Sequence, residues 1–154
     1  QRDVLRLFSW RRPKGNDVSM TEISGSCICG SISYMITGEP RKFFHCYCSR
    51  CRKSTGTGHA SNIILKPDTV TWTAGEDLLS SFKVQDAKRF RTVFCKKCGS
   101  PMPRIARNPS IAVIPAGSLD SELPLSPTDR IMCSSRADWS CNPDDIPSWP
   151  EYPE

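Results

Sequence analysis

Seven of the chain's nine cysteines fall into three short clusters: Cys27-x-Cys29-Gly30, Cys46-x-Cys48-x-x-Cys51 and Cys95-x-x-Cys98-Gly99. Thiolates at such spacings are zinc ligands, because zinc takes four soft donors at tetrahedral corners with Zn–S near 2.3 Å. A CxxC turn puts two sulfurs on one ion without strain. A glycine after the second cysteine permits φ > 0, so that backbone amides turn toward the sulfurs and offset their charge. Lys96 and Lys97 add favourable charge inside one such turn. A closed site needs two pairs, and Cys27/Cys29 with Cys95/Cys98 supply them. A structural ion there would tie together the roughly 66 residues between Cys29 and Cys95 and contribute on the order of 10 kcal/mol to folding. Disulfides or buried thiols are the other use of cysteine. The odd count and the lack of a recognisable secretory signal fit disulfides poorly and point to a cytoplasmic protein.

Cys46, Cys48 and Cys51 are one ligand short of closure. Three thiolates with an open position mark a reactive zinc, which lowers the pKa of a bound thiol or water or polarises a carbonyl. Two other readings stay open: a distant residue closes the site, with Cys133, Cys141, His45 and His59 as candidates, or the three act as redox thiols without metal. His45 and His59 are also candidate bases. Arg50, Arg52 and Lys53 flank the cluster and suit an anionic ligand. Ser54-Thr55-Gly56-Thr57-Gly58 reads as an anion-binding loop or simply a turn. Trp72, Trp139 and Trp149 read as core or edge packing, and Cys133 and Cys141 as ordinary buried cysteines.

The elements that must position these residues read as β. Ser31–Ile36 alternates apolar and polar side chains up to a turn at Gly38-Glu39-Pro40. Residues 62–65 run to a second turn at Lys66-Pro67-Asp68, and Val70–Thr73 alternates again before Ala74-Gly75-Glu76-Asp77. Leu78–Val84 and Lys88–Phe94 read as two further strands, and Ile111–Ile114 as a short buried one. Thirteen prolines and nine glycines favour short elements and many turns. The one helical turn lies at Ser49–Ser54, inside the middle cysteine cluster. Loop character takes over after Ser121.

The 154 residues suit one domain, expected over residues 20–154. Residues 1–19 are arginine-rich and unlike the rest, and are read as a leader or tag-like segment outside the fold, a targeting presequence being the sharper alternative. They carry Arg2, Arg6, Arg11, Arg12 and Lys14 against Asp3 and Asp17, a net +3 of the chain's +5. Two zinc ions on seven thiolates would bring the remainder to −1, so charge argues against nucleic acid as a partner. No apolar run approaches the ~20 residues of a membrane span.

At its cysteine clusters the sequence resembles the glutathione-dependent formaldehyde-activating enzyme family, which also contains the centromere protein V group. The matching stretches are Gly25-Ser26-Cys27-Ile28-Cys29-Gly30, Cys46-Tyr47-Cys48-Ser49-Arg50-Cys51-Arg52-Lys53-Ser54-Thr55-Gly56, Phe94-Cys95-Lys96-Lys97-Cys98-Gly99-Ser100, Ala116-Gly117-Ser118-Leu119-Asp120 and Trp139. The resemblance implies a mainly β fold, a β-tent of small antiparallel sheets pinned by zinc. It implies a structural zinc on Cys27, Cys29, Cys95 and Cys98, and a labile, catalytic zinc on Cys46, Cys48 and Cys51. It also implies carbon–sulfur lyase chemistry that joins glutathione and formaldehyde into S-hydroxymethylglutathione, so the expected partners are a small thiol and an aldehyde, with Arg50, Arg52 or Lys53 attracting the thiol's carboxylates. Relatives often carry a histidine inside the middle Cys-x-Cys, where this chain has Tyr47 and places His45 before it. The competing reading is a non-catalytic zinc module for a protein or nucleic-acid partner.

Overall fold

A computed structural model of the chain describes residues 20–108, 110–140 and 142–152. The expected leader, residues 1–19, and Cys141 lie outside the described residues. The elements in chain order are β1 (Thr21–Ser26), β2 (Ser33–Cys46), α1 (Ser49–Thr55), β3 (Ala60–Ala74), β4 (Leu79–Lys83), β5 (Arg91–Cys95), β6 (Arg104–Ile105), β7 (Ala112–Pro115) and β8 (Asp129–Ile131). Six strands form one sheet in the order β1-β2-β3-β7-β6, with β8 on β2, and β4 pairs with β5 as a separate two-stranded sheet. The mainly β fold of small sheets expected from the sequence is the one observed.

The alternation in β2 has a direct consequence. Tyr34 and Ile36 are buried while Met35 between them faces out, because successive side chains of a strand point to opposite faces. They join Ile23 of β1, Ile63 and Leu65 of β3, and Ala112 and Ile114 of β7 in the main core. Each large aliphatic side chain buried there stabilises the fold by about 1.5–3 kcal/mol.

Two turns expected from the sequence are absent. β2 runs straight through Gly38-Glu39-Pro40, and β3 joins the two predicted strands through Lys66-Pro67-Asp68. The reason is that these segments face each other: Gly38 pairs with Pro67, Glu39 with Lys66 and Pro40 with Leu65, and the register shifts at Thr37/Gly38 and Pro40/Lys42. The missing donors of both prolines fall where the ladder is already broken, so a shared bulge replaces two turns. Gly38 is required there, since a Cβ would stand 2.8 Å from Pro67 Cα and 2.6 Å from Leu65 Cδ2. The bulge divides β2 into two working halves. Its first half pairs with β1 over Ser33–Gly38. Its last three residues pair in parallel with β8, which lies in a region expected to be loop.

The predicted strands at Leu78–Val84 and Lys88–Phe94 form β4 and β5, in register from Leu79/Cys95 to Lys83/Arg91. The helical turn is α1, whose N-cap is Cys48 and whose C-cap is Gly56 at φ 68°. The Ser54–Gly58 stretch is therefore the exit of this helix. Its hydroxyls are spent locally, Thr55 Oγ1 donating to the Cys51 carbonyl at 2.9 Å and Thr57 Oγ1 to that of His59. No helix among the described residues is long and apolar enough to cross a membrane.

Candidate metal centres and the cleft between them

The two strand ends Ser26 and Cys95 bring the outer cysteine clusters together. Cys27 and Cys29 follow β1, and Cys95 closes β5. Cys27 Sγ and Cys29 Sγ are 3.5 Å apart, Cys29 Sγ and Cys95 Sγ 3.9 Å, and all four sulfurs, Cys98 included, lie within 4.8 Å of one another. Four donors at tetrahedral corners 2.3 Å from zinc stand about 3.8 Å apart, so this donor set fits a zinc ion closely.

The surrounding backbone serves the sulfurs. Gly30 at φ 70° and Gly99 at φ 75° turn the chain after each pair. Their amides close the two turns on the Cys27 and Cys95 carbonyls at 2.8 and 2.9 Å, and the Ile32 amide donates to Cys27 Sγ at 3.3 Å. Ser100 links the two turns, its Oγ accepting from the Ile28 amide at 3.1 Å and standing 3.3 Å from Cys98 Sγ. The Ser100 hydroxyl and amide together hold the Cys98 thiol down at about 5. The hydroxyl and amide of Ser31 lower Cys29 in the same way, whereas burial pushes Cys95 up. The lysines of this turn fasten neighbours rather than standing free: Lys96 Nζ donates to the Asp77 carbonyl at 2.9 Å and Lys97 Nζ reaches Ser31 Oγ at 3.3 Å. Cys27 and Cys95 pack with Ile32 and Met102 in a core cluster of their own.

The middle cluster is built differently. Cys46 ends β2, Cys48 caps α1 by accepting from the Cys51 amide at 3.4 Å, and Cys51 sits in the first turn. Their sulfurs lie within 4.8 Å of one another, and among the described residues no fourth Cys, His, Asp or Glu donor joins them. These three also fit one soft metal ion, with a side left for another ligand. Burial pushes the Cys46 and Cys51 thiols up. Burial acts on Cys48 too, but amides of Cys51 and Arg50 outweigh it and hold that thiol below its usual value.

The candidate closing residues are elsewhere. Cys133 is exposed, not buried as expected; it lies in a surface turn after β8. His45 Nδ1 hydrogen-bonds Ser61 Oγ at 3.0 Å. His59 lies against both His45 and Tyr47, with ring centroids 4.1 and 5.1 Å away and the planes tilted by 49° and 43°. Burial lowers both histidines, helped by the charge of Arg130, so both rings are neutral near pH 7. Trp72 packs against two cores as expected, whereas Trp139 and Trp149 are largely exposed, 69% and 62%. The Ala116–Asp120 stretch proves to be a clasp: Ser118 Oγ meets Tyr34 Oη at 2.7 Å and the Asp120 amide donates to the Ser24 carbonyl at 2.9 Å. Burial raises the Tyr34 phenol to about 12, so it remains a neutral hydrogen-bonding group.

A cleft of about 1380 Å3 runs between the large sheet and the β4–β5 pair, with Cys46, Cys48 and Cys51 at one side and Cys27 and Ser100 along its length. Phe44, Ile64, Phe82, Phe90 and Val113 give it apolar walls, and His59 opens onto it. That volume exceeds the ~300–1,000 Å3 of ordinary small-ligand pockets. Of the three basic residues flagged by the sequence, Arg50 and Lys53 line the cleft, but Arg52 turns away and donates from Nη2 to the Ser135 carbonyl at 3.4 Å. Sequence reasoning missed Arg91 of β5 and Arg104 of β6, which also line the cleft. Neither belongs to a spaced motif, and only the fold, with β5 on β4 and β6 on β7, brings them there.

The family model described as "Glutathione-dependent formaldehyde-activating enzyme" matches residues 22–135. A Halomonas elongata protein named "Putative glutathione-dependent formaldehyde-activating enzyme" is 30% identical over 124 residues, covering 76% of this chain and 78% of its own. A crystal structure of a Rhodobacter sphaeroides protein aligns with a TM-score of 0.48 at 20% identity, over 66% of this chain and 92% of that one. On the extent of the family match, which takes in all three cysteine clusters, the chain belongs to the glutathione-dependent formaldehyde-activating enzyme family.

Proposed function

We propose that residues 20–154 form one zinc-binding domain that condenses a glutathione-like thiol with formaldehyde to S-hydroxymethylglutathione, and that catalyses the reverse cleavage of the carbon–sulfur bond. The observation that carries this reading is the incomplete cysteine trio, Cys46, Cys48 and Cys51, facing a cleft large enough for a peptide thiol and an aldehyde together. The family to which the chain belongs supports it. An open cleft at the trio also favours an enzyme over a purely structural module. The free state of every described cysteine suits a reducing compartment such as the cytoplasm.

When bound by the trio, zinc supplies the Lewis acidity that keeps a nearby substrate thiol ionised at neutral pH. The chain supplies the rest. His59 is neutral, faces the cleft, and its ring nitrogens make no hydrogen bond among the described residues. It is placed to take the thiol proton. As the sulfur adds to the carbonyl carbon, the C–S bond forms, the carbonyl π bond breaks onto oxygen, and His59 returns the proton to that oxygen.

The test is metal analysis joined to turnover. Purified protein should hold about two zinc ions per chain and accelerate S-hydroxymethylglutathione formation over the uncatalysed rate. Zinc-replete protein that accelerates no adduct of formaldehyde with glutathione or with small thiols would overturn the reading.

A further inference from the structure

The described arginines divide into those that are used and those that are not. Arg52 donates to the Ser135 carbonyl, Arg130 to Asn142 Oδ1 and Arg136 to the Ser140 carbonyl, and Arg41 pairs with Glu39 in the ion pair found among the described residues. The side chains of Arg91, at the start of β5, and Arg104, on β6, make no hydrogen bond and no ion pair among the described residues, yet both residues are half-buried and both line the cleft. Burial pushes the Arg104 guanidinium down from its usual value, the charge of Arg91 pushes it further, and Cys51 opposes them. The Phe94–Pro101 bridge and the Met102 amide on the Val93 carbonyl lay β5 antiparallel to the segment that leads into β6, which brings Arg91 beside Arg104. Two like charges side by side in a partly dry wall are unfavourable unless an anion joins them. The cleft supplies little of its own, since Asp120 is its one carboxylate against Arg50, Lys53, Arg91 and Arg104.

A guanidinium is a planar fork of donors that matches a carboxylate with two parallel hydrogen bonds. We propose that Arg104, seconded by Arg91, is a carboxylate-binding site of the cleft, and that it selects a carboxylated peptide thiol whose sulfur lies at Cys46, Cys48 and Cys51. This rests on the proposed reaction only in naming the thiol. Arg104 and the three cysteines line the same cleft, so one molecule can bring its carboxylate to the first and its sulfur to the second. Arg50 and Lys53, which are exposed on α1, are left to a second carboxylate at the cleft mouth.

The probe is S-methylglutathione, which keeps both carboxylates but cannot ionise at sulfur, compared with its diethyl ester by calorimetric titration of the zinc-replete full chain. S-methylglutathione should bind at least 10-fold more tightly than the ester. Arg104→Gln should reduce that preference several-fold by weakening the acid and leaving the ester unchanged, the remainder resting on Arg91, Arg50 and Lys53. Arg104→Lys, which keeps charge but not the fork, should recover part of it. Arg91→Gln should show a smaller loss in the same direction and serves as the reporter if Arg104→Gln does not fold. Equal binding of acid and ester by the native chain, no binding of either, or an undiminished preference in both glutamine variants overturns the site. Arginine-dependent binding of S-methylglutathione without turnover of glutathione and formaldehyde would instead defeat the proposed reaction and leave the carboxylate site standing.

Discussion

The two cysteine groups use the same ligand to opposite ends. The quartet joins segments 66 residues apart, at the ends of β1 and β5, and two of its cysteines, Cys27 and Cys95, lie inside a packed cluster with Ile32 and Met102. The trio lies within one strand end and one helical turn, and it faces the cleft. An ion in the quartet closes a long loop that the unfolded chain would otherwise keep open, so its binding energy is folding energy. An ion in the trio crosslinks almost nothing that the sheet does not already fix. The same metal is therefore expected to be a staple in one place and a reagent in the other.

The largest effect that would break this comparison is on the quartet. Cys95→Ser leaves an unmatched donor in a fully buried position and removes a ligand from the site tying β1 to β5. It should unfold the domain at room temperature, consistent with a contribution on the order of 10 kcal/mol, and lose both metals by elemental analysis. A folded Cys95→Ser protein with near-native circular dichroism would refute the staple. Next in size is Cys48→Ser. It should keep the fold, lose about one zinc per chain, and reduce turnover at least ~10³-fold. Loss of both metals with unfolding would merge the two sites into one structural unit and end the division of labour.

The quartet was more legible in the sequence than the trio's surroundings. Spacing and the following glycines determine how Cys27/Cys29 and Cys95/Cys98 turn, and Gly30 and Gly99 adopt the positive φ that this requires. The helical turn at Ser49 was readable for the same local reason. What could not be read was anything set by pairing across the chain. Gly38-Glu39-Pro40 and Lys66-Pro67-Asp68 each carry ordinary turn chemistry, and only their mutual registration turns them into a bulge within long strands. β8 has three residues and no alternation to announce it, yet its parallel pairing with β2 holds the Phe44–Cys46 end in place. Arg104 is one charged residue in a two-residue strand. Its importance comes from the cleft, which no local pattern describes. The basic residues beside the cysteines were the natural guess, and one of them, Arg52, is committed to Ser135 instead.

His59 sharpens the reagent half of the comparison. Burial and Arg130 hold its ring below the ordinary value of 6.5, so it is a competent base throughout the neutral range. Turnover should be level above about pH 6.5 and fall as pH drops through the lowered pKa, because protonation removes the acceptor. His59→Gln should lower kcat about 10²-fold, flatten that acid limb, and leave the zinc content at both sites unchanged. An unaltered pH profile in His59→Gln would assign the proton transfer to solvent.

The smallest effect tests whether the staple is tuned by its own hydroxyl. Ser100 holds the Cys98 thiol at about 5 against an ordinary 9.0, and a thiol with a low pKa gives up its proton to a metal more readily. With Ser100 present, Cys98 remains a thiolate until the pH falls to about 5, so protons compete with zinc only in more acid solution. Ser100→Ala removes the hydroxyl and leaves the backbone amide, so protons should compete at higher pH. The expected outcome is about a 10-fold loss of zinc affinity at the quartet, in the range seen when an outer hydrogen bond to a metal ligand is deleted. Acid release, followed with a chromogenic chelator, should move to higher pH for one of the two ions. Cys46, Cys48 and Cys51 make no hydrogen bond to Ser100 among the described residues, so an ion held by the trio should leave at the same pH as in the native chain. If both release steps moved together, the two cysteine groups would share one stability, and the separation of staple from reagent would not hold.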